Sequence, residues 1–304
     1  MSGRTRLAFA LAAPMAGCTR YDSSLFGAAG QVAADERQHF LLIVALVAVV
    51  VVPAVMLGPW VARRYRYGRA DAAYDPDWEF SWWVEVPLWG VPVALVAVLG
   101  TVLWRSTVDL DPYEPVGVGP VLDVQAIGYD WKWLFLYPGE GIASVGVMAV
   151  PQGRPVRIRL TSGANLMSFH VPALAGQIYA MPGMVTEQNL VAERTGQFLG
   201  QNTQYNGRGF HEQKFVTEAM DETGFDDFVA RAHAAPPLDA ATMAAVEARS
   251  TKGELADILG LPDGGSGPMP PILFGSVPPG LFDQVVKRFA HDDLRPGGQA
   301  KEGG

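Results

Sequence analysis

Two uninterrupted apolar runs near the front of the chain constrain it more than any other feature. Phe40–Trp60 holds 21 residues and Val86–Trp104 holds 19, with no charged side chain in either. A helix needs about 20 apolar residues to cross about 30 Å of hydrocarbon, so both runs predict membrane spans. Both are apolar all the way round, unlike a helix that packs one stripe onto a soluble core. Trp60, Trp82, Trp83 and Trp104 stand at their ends, where indole rings favour the membrane–water boundary. Arg63, Arg64, Arg66 and Arg69 follow the first run, while only Arg37 and Arg105 flank the outer ends. That excess marks the connecting loop as cytoplasmic. It puts the N-terminal segment and everything beyond Trp104 on the opposite side.

The first twenty residues support the same orientation. Arg4 and Arg6 precede the short apolar stretch Leu7–Ala13, and Met15-Ala16-Gly17 leads into Cys18. This reads as a secretory signal over 1–17, too short to span a membrane. The run ending in Cys18 resembles a bacterial lipoprotein signal, which implies lipidation of Cys18 at the mature N-terminus. An ordinary signal peptide with a bystander cysteine is the alternative. Cys18 is the one cysteine in the chain, so a disulfide framework, a cysteine-rich zinc site and an iron–sulfur cluster are excluded. A net charge of −8 argues against a nucleic-acid partner, because phosphate binding needs a basic face.

Beyond Pro112 the pattern changes to short strands. Val156, Ile158 and Leu160 alternate with Arg157, Arg159 and Thr161, and Leu122, Val124 and Ala126 share one face of a second run. This is the period of a half-buried strand. Trp131–Tyr137 is aromatic on one face and carries Leu134 and Leu136 on the other, as an inner strand would. Turn signals about every ten residues indicate an all-β sandwich or barrel. After Met220 the pattern turns helical, with Thr223 placed to cap a helix through Phe225, Phe228, Val229 and Ala232. A second helix is expected from Asp239 to about Ser250. A third, bearing Phe282, Val285, Val286 and Phe289, follows a Gly/Pro-rich linker over Leu261–Pro271. The expected organisation is a signal (1–17), an N-terminal segment on the exported side (18–38), a hairpin (39–105, spans about 40–60 and 86–104), a β domain (112–220), a helical arm (221–291) and a polar, disordered tail (292–304).

A two-helix hairpin feeding an exported β domain resembles subunit II of the haem–copper respiratory oxidases. The resemblance is carried by Gly128-Tyr-Asp-Trp-Lys-Trp-Leu-Phe135, Ser162-Gly-Ala-Asn-Leu-Met-Ser-Phe169, Gln177-Ile-Tyr-Ala-Met-Pro-Gly-Met184 and Gly196 through Phe215. It implies a membrane α plus all-β chain: a transmembrane hairpin, a cupredoxin-like Greek-key barrel or sandwich, and a short C-terminal helical arm. Members of this family that oxidise cytochrome c hold two coppers with a strand His and a Cys-x3-Cys-x3-His-x2-Met loop. Soft thiolate suits Cu(I). Laid on this chain, the strand His falls on Met167, the cysteines on Asn202 and Asn206, the loop His on Phe210 and the Met on Gln213. The Glu that serves a nearby magnesium ion becomes Gln204. Amides are weak neutral ligands and a phenyl ring has no lone pair, so no metal is expected in this chain. A relocated copper built from His170, His211, Met167, Met181 and Met184 is the competing idea. The odd spacing of Met167 and His170 weakens it, because alternate strand residues face opposite ways.

The copper-free pattern resembles subunit II of the bo-type ubiquinol oxidases, whose donor is a membrane quinol. Gly224-Phe-Asp-Asp-Phe-Val-Ala-Arg and Phe274-Gly-Ser-Val-Pro-Pro-Gly-Leu-Phe-Asp-Gln-Val-Val resemble that branch's helical arm, and a lipoprotein signal is usual there. The resemblance implies a non-redox subunit of a proton-pumping ubiquinol oxidase in a bacterial inner membrane, its β domain and C-terminus in the periplasm. Its partners would be subunit I, which carries the haems and copper, subunits III and IV, membrane lipid, and ubiquinol as substrate of the complex. Glu85, in Glu85-x3-Trp89-x2-Pro92, matches a family carboxylate at the mouth of a proton-uptake channel. An interfacial Glu solvated by headgroups is the plainer alternative. Trp131 matches a tryptophan on the copper branch's electron path, and without copper it reads as core packing. The alternatives for the whole chain are a cytochrome c oxidase subunit II with a copper centre, and a membrane-anchored lipoprotein scaffold with a degenerate cupredoxin domain.

Overall fold

The computed structural model describes residues 25–67, 77, 79–261 and 270–290. The signal segment, Cys18, Arg69 and the tail from Asp292 lie outside the described residues. The two apolar runs sit in helices α1 (Gln31–Arg64) and α2 (Trp82–Asp109), of 34 and 28 residues. Both helices outrun the predicted spans. At 1.5 Å per residue they measure roughly 50 and 40 Å, more than the hydrocarbon requires. The extra turns of α1 serve the β domain: Ala33 is buried there, and Ala29, just before the helix, exchanges backbone hydrogen bonds with Ala173 and Glu193 at 2.7 Å each.

The β domain is a sandwich of two sheets. The strands are β1 (Leu122–Tyr129), β2 (Lys132–Tyr137), β3 (Ile142–Val145), β4 (Val147–Pro151), β5 (Pro155–Ser162), β6 (Met167–Val171), β7 (Ala175–Ala180), β8 (Thr186–Val191), β9 (Gly196–Gln201), β10 (Lys214–Met220) and β11 (Ile272–Phe274). One sheet has the order β11-β3-β2-β1-β5-β8 and the other β4-β10-β9-β6-β7. The pairs β1/β5 and β4/β10 are parallel; the other pairs are antiparallel. The alternation read in β5 and β1 holds, with Val156, Ile158, Leu160, Leu122, Val124 and Ala126 all buried.

Strand β2 is buried on both faces. Trp133 and Phe135 point between the sheets and meet Phe169 and Phe215, with ring centroids 4.9 to 6.4 Å apart. Leu134 and Leu136 point the other way, into a second core shared with Met243, Val246, Leu255, Phe274 and Phe282. That second core is the reason the C-terminal arm exists as ordered structure. Its helices α3 (Glu222–His233), α4 (Ala240–Glu247), α5 (Lys252–Ile258) and α6 (Leu281–Ala290) are short, and helices of this length depend on packing.

The arm departs from its sequence reading in three places. The cap of α3 is Asp221, whose Oδ1 accepts from Gly224 N–H at 2.8 Å, and Thr223 lies inside the helix. The helix from Asp239 stops at Glu247, because Ala248 turns extended and Thr251 starts α5 with a reciprocal capping box to Glu254. The arm is also not purely helical, since Ile272–Phe274 pairs with β3 and extends its sheet.

Candidate functional site

The loop from Asn202 to Gln213 joins β9 to β10 and folds over the starts of β6 and β2. Gln213 is wholly buried and sits at the centre of an amide cluster. Its Oε1 accepts from Asn206 Nδ2 at 2.6 Å and from Asn202 Nδ2 at 2.9 Å. Its Nε2 donates to the Met167 sulfur at 3.0 Å and to the Tyr129 carbonyl at 3.2 Å. Asn202 Oδ1 accepts from the backbone N–H of Ser168 and of Gln204, each at 2.9 Å. Buried polar groups without partners are costly, and here one glutamine engages the amino groups of two asparagines and a thioether together, while Asn206 Oδ1 stays buried without a partner among the described residues.

Four of the sequence-predicted positions, Met167, Asn202, Asn206 and Gln213, are therefore brought into one place. Gln204 joins only through its backbone: its N–H donates to Asn202 Oδ1 and its carbonyl accepts from Asn202 Nδ2 at 2.8 Å. Phe210 lies in a 3-10 turn over 210–212, half-buried against the Tyr205 ring at 5.6 Å. The donors in this cluster are three amides and a sulfur already engaged by an N–H. They do not fit a two-copper centre, which needs thiolate bridges and imidazole. No arrangement of three or more His, Cys, Asp or Glu able to hold a metal occurs among the described residues. His170 is half-buried with its affinity for protons lowered by burial, and its Nδ1 has no partner among the described residues. His211 is exposed and lies 3.5 Å from Glu212.

Sequence reading missed how Trp131 is held. Its φ of +68° is left-handed, and the residue is 3% exposed. A Cβ on Gly209 would come 2.3 Å from the indole, so only glycine allows this packing. Arg208 and Arg249 lie over the ring at 5.6 and 5.1 Å from its centroid, and Nε1 donates to the Asn206 carbonyl at 3.3 Å. The indole is thus a packed wall of the amide cluster.

Lys132 was missed as well. It is 1% exposed and donates to the carbonyls of Ala248 and Ser250 at 2.7 and 2.9 Å and to Ser250 Oγ at 3.0 Å. Burial pushes its pKa down to about 8, against the opposing pull of Asp130 and Glu254. Its one legible signal is a cation between two tryptophans on an inner strand, opposite in phase to both.

Glu85 stands in the first turn of α2, where negative charge is favoured by the helix dipole. Its Oε2 accepts from Trp89 Nε1 at 3.0 Å, so the Glu-x3-Trp spacing is a one-turn contact on one helix face.

The family model described as cytochrome C oxidase subunit II, periplasmic domain, matches residues 142–219. A Pseudomonas aeruginosa protein named cytochrome bo(3) ubiquinol oxidase subunit 2 is 38% identical, over 94% of this chain and 81% of its own. One of the same name from Pseudomonas putida is 37% identical over 86% and 78%. The chain belongs to the ubiquinol oxidase subunit 2 family. A Buchnera aphidicola member is also 37% identical, over 64% of this chain and 69% of its own length. With family membership and two long apolar helices, this is subunit II of a terminal oxidase, an inner-membrane component of an oxidoreductase complex that includes a subunit I. The sandwich is the cupredoxin-like domain of that family.

Proposed function

We propose that this chain is the redox-silent subunit II of a proton-pumping terminal ubiquinol oxidase. The observation that carries this reading is the amide cluster in which Gln213 is hydrogen-bonded to Met167, Asn202 and Asn206 at the family's ligand positions. A quinol delivers electrons from within the membrane, so its oxidase has no use for a copper relay in an exported domain. The haems and copper belong to subunit I, and the hairpin braces that subunit while the sandwich caps it on the periplasmic side. Subunits III and IV complete the assembly. Signal removal before Cys18 and lipidation of Cys18 would fix the N-terminal end of 18–38 to the same membrane face. Glu85 collects protons at the mouth of an uptake channel in subunit I, a role suited to an interfacial carboxylate held by one hydrogen bond.

Tagging the full chain and purifying it in mild detergent tests the reading. The expected preparation contains a haem-bearing multi-span partner and consumes oxygen with ubiquinol but not with reduced cytochrome c. Oxygen consumption driven by cytochrome c would support the copper-bearing alternative, and a preparation without haem would support a scaffold.

A further inference from the structure

The chain just before α1 is tied to the sandwich. Ala29 exchanges backbone hydrogen bonds with Ala173 and Glu193, and the Arg194 guanidinium donates to the Gly27 carbonyl at 3.1 Å. A Cβ on Gly30 would come 2.5 Å from the Val191 carbonyl and 3.0 Å from that of Leu174, so a side chain there would push the segment off the β domain. Upstream, the 3-10 turn Leu25–Gly27 lies along α1. Arg37 Nη1 donates to the Phe26 carbonyl at 3.2 Å, and the Phe26 ring meets the Phe40 ring edge-on, with centroids 6.1 Å apart. Phe40 is nine residues into α1, roughly 14 Å along its axis. The segment therefore doubles back along α1, away from the sandwich and toward the start of the first apolar run.

What covers Phe26 follows from where the segment ends up. Phe40 opens the run that crosses the membrane. Phe26 is 63% exposed, and Phe40 and Val44, one turn apart on the same helix face, are exposed as well. The three form one continuous apolar surface whose deeper part lies among the acyl chains. An exposed phenyl ring at that edge is stabilised by entering the boundary between headgroups and hydrocarbon. Arg37 stands about 4.5 Å outward of Phe40, level with the headgroups, and forms no ion pair among the described residues. Its remaining N–H donors suit a phosphate. Apolar contact deeper and an anion farther out is the order in which a bilayer presents its chemistry.

We infer that Leu25–Gly27 is a membrane-interface anchor that docks on the phospholipid bilayer, with Phe26 entering the edge of the hydrocarbon beside Phe40 and Arg37 bridging the Phe26 carbonyl and a lipid phosphate. Because Gly27 and Ala29 bind the sandwich, the anchor fixes how the β domain stands over the membrane surface. It rests on α1 crossing the membrane and needs neither lipidation of Cys18 nor a quinol donor, so it fails independently of the proposed function.

The test uses the assembled oxidase in vesicles of phosphatidylethanolamine and phosphatidylglycerol, with Phe26 of the full chain replaced by the photoreactive p-benzoylphenylalanine. Irradiation is expected to leave a phospholipid adduct on the chain. Its yield should approach that for the same replacement at Phe40 and exceed severalfold that at Val118, which is fully exposed but lies beside Pro155 on the sandwich. A second measurement leaves the sequence unchanged and decides the matter should the replacement at position 26 block assembly. A phospholipid carrying a diazirine at the top of its acyl chain is irradiated with the wild-type oxidase, and label is expected over 25–27 within the tryptic fragment 21–37. A cross-link from position 26 to another subunit, a lipid adduct no greater than at Val118, or a wild-type fragment without label over 25–27 would each overturn the inference.

Discussion

Gln213 donates to the sulfur of Met167 at 3.0 Å, so the residue at the family's loop-methionine position satisfies the residue at its strand-histidine position. Two positions that hold metal in one branch hold each other here. The sulfur also sits where a Cβ on Gly128 would come, 2.7 Å away, which ties the cluster to the end of β1.

Removing the central amide exposes how much the cluster contributes. Gln213→Met keeps length and apolar volume but leaves the amino groups of Asn202 and Asn206 without their shared acceptor. Stability is expected to fall by about 2–4 kcal/mol, measured by denaturant unfolding of the purified chain. A change within experimental error would mean that the cluster is merely tolerated.

Trp131 is walled in by Gly209, Arg208 and Arg249 and lies on no electron path in this account. Trp131→Phe therefore leaves quinol-driven oxygen consumption unchanged while lowering stability by about 1 kcal/mol through the lost indole hydrogen bond and packing. Turnover that collapses without loss of subunit assembly would give the indole a redox role.

The arm is latched to the sandwich by Lys132. Lys132→Met strands the carbonyls of Ala248 and Ser250 and is expected to cost about 2–4 kcal/mol. The loss should be local, so hydrogen exchange in 238–290 accelerates before exchange in β1 or β5.

One buried lysine and one half-buried lysine give stability a pH dependence of known sign. Burial lowers both Lys132 and Lys252 to about 8 from the ordinary 10.5. Between those values the unfolded chain binds more protons than the folded one, so stability rises as pH rises from about 8 to 10.5. Below about 8 both are charged in either state and this contribution is flat. Denaturation midpoints at pH 7.5 and 9.5 check this, and the rise should shrink in Lys132→Met.

Glu85→Gln preserves an acceptor for Trp89 Nε1, so the helix start is left intact. Turnover of the assembled oxidase is expected to drop severalfold, with the deficit easing at lower pH where protons are abundant. Unchanged turnover at high pH would reduce Glu85 to a helix-terminal charge.

The sequence revealed architecture where periodicity was strong and stayed silent where contacts are long-range. The spans, the alternation of β1 and β5 and the two-faced character of β2 follow from local pattern alone. Convergence of Met167 with Asn202, Asn206 and Gln213 was legible only through the family's loop spacing. The roles of Lys132 and Trp131 were not legible, because both depend on Arg249, Ala248 and Ser250, more than a hundred residues away. Strand β11 was hidden by its length: Ile272–Phe274 is too short to show a period.

Copper analysis of the purified full-length chain, with its near-infrared and paramagnetic resonance spectra, tests the central claim most directly. A barrel closed by amides predicts no stoichiometric, tightly held copper after exposure to excess metal and dialysis. Two coppers per chain with a mixed-valence spectrum would contradict it.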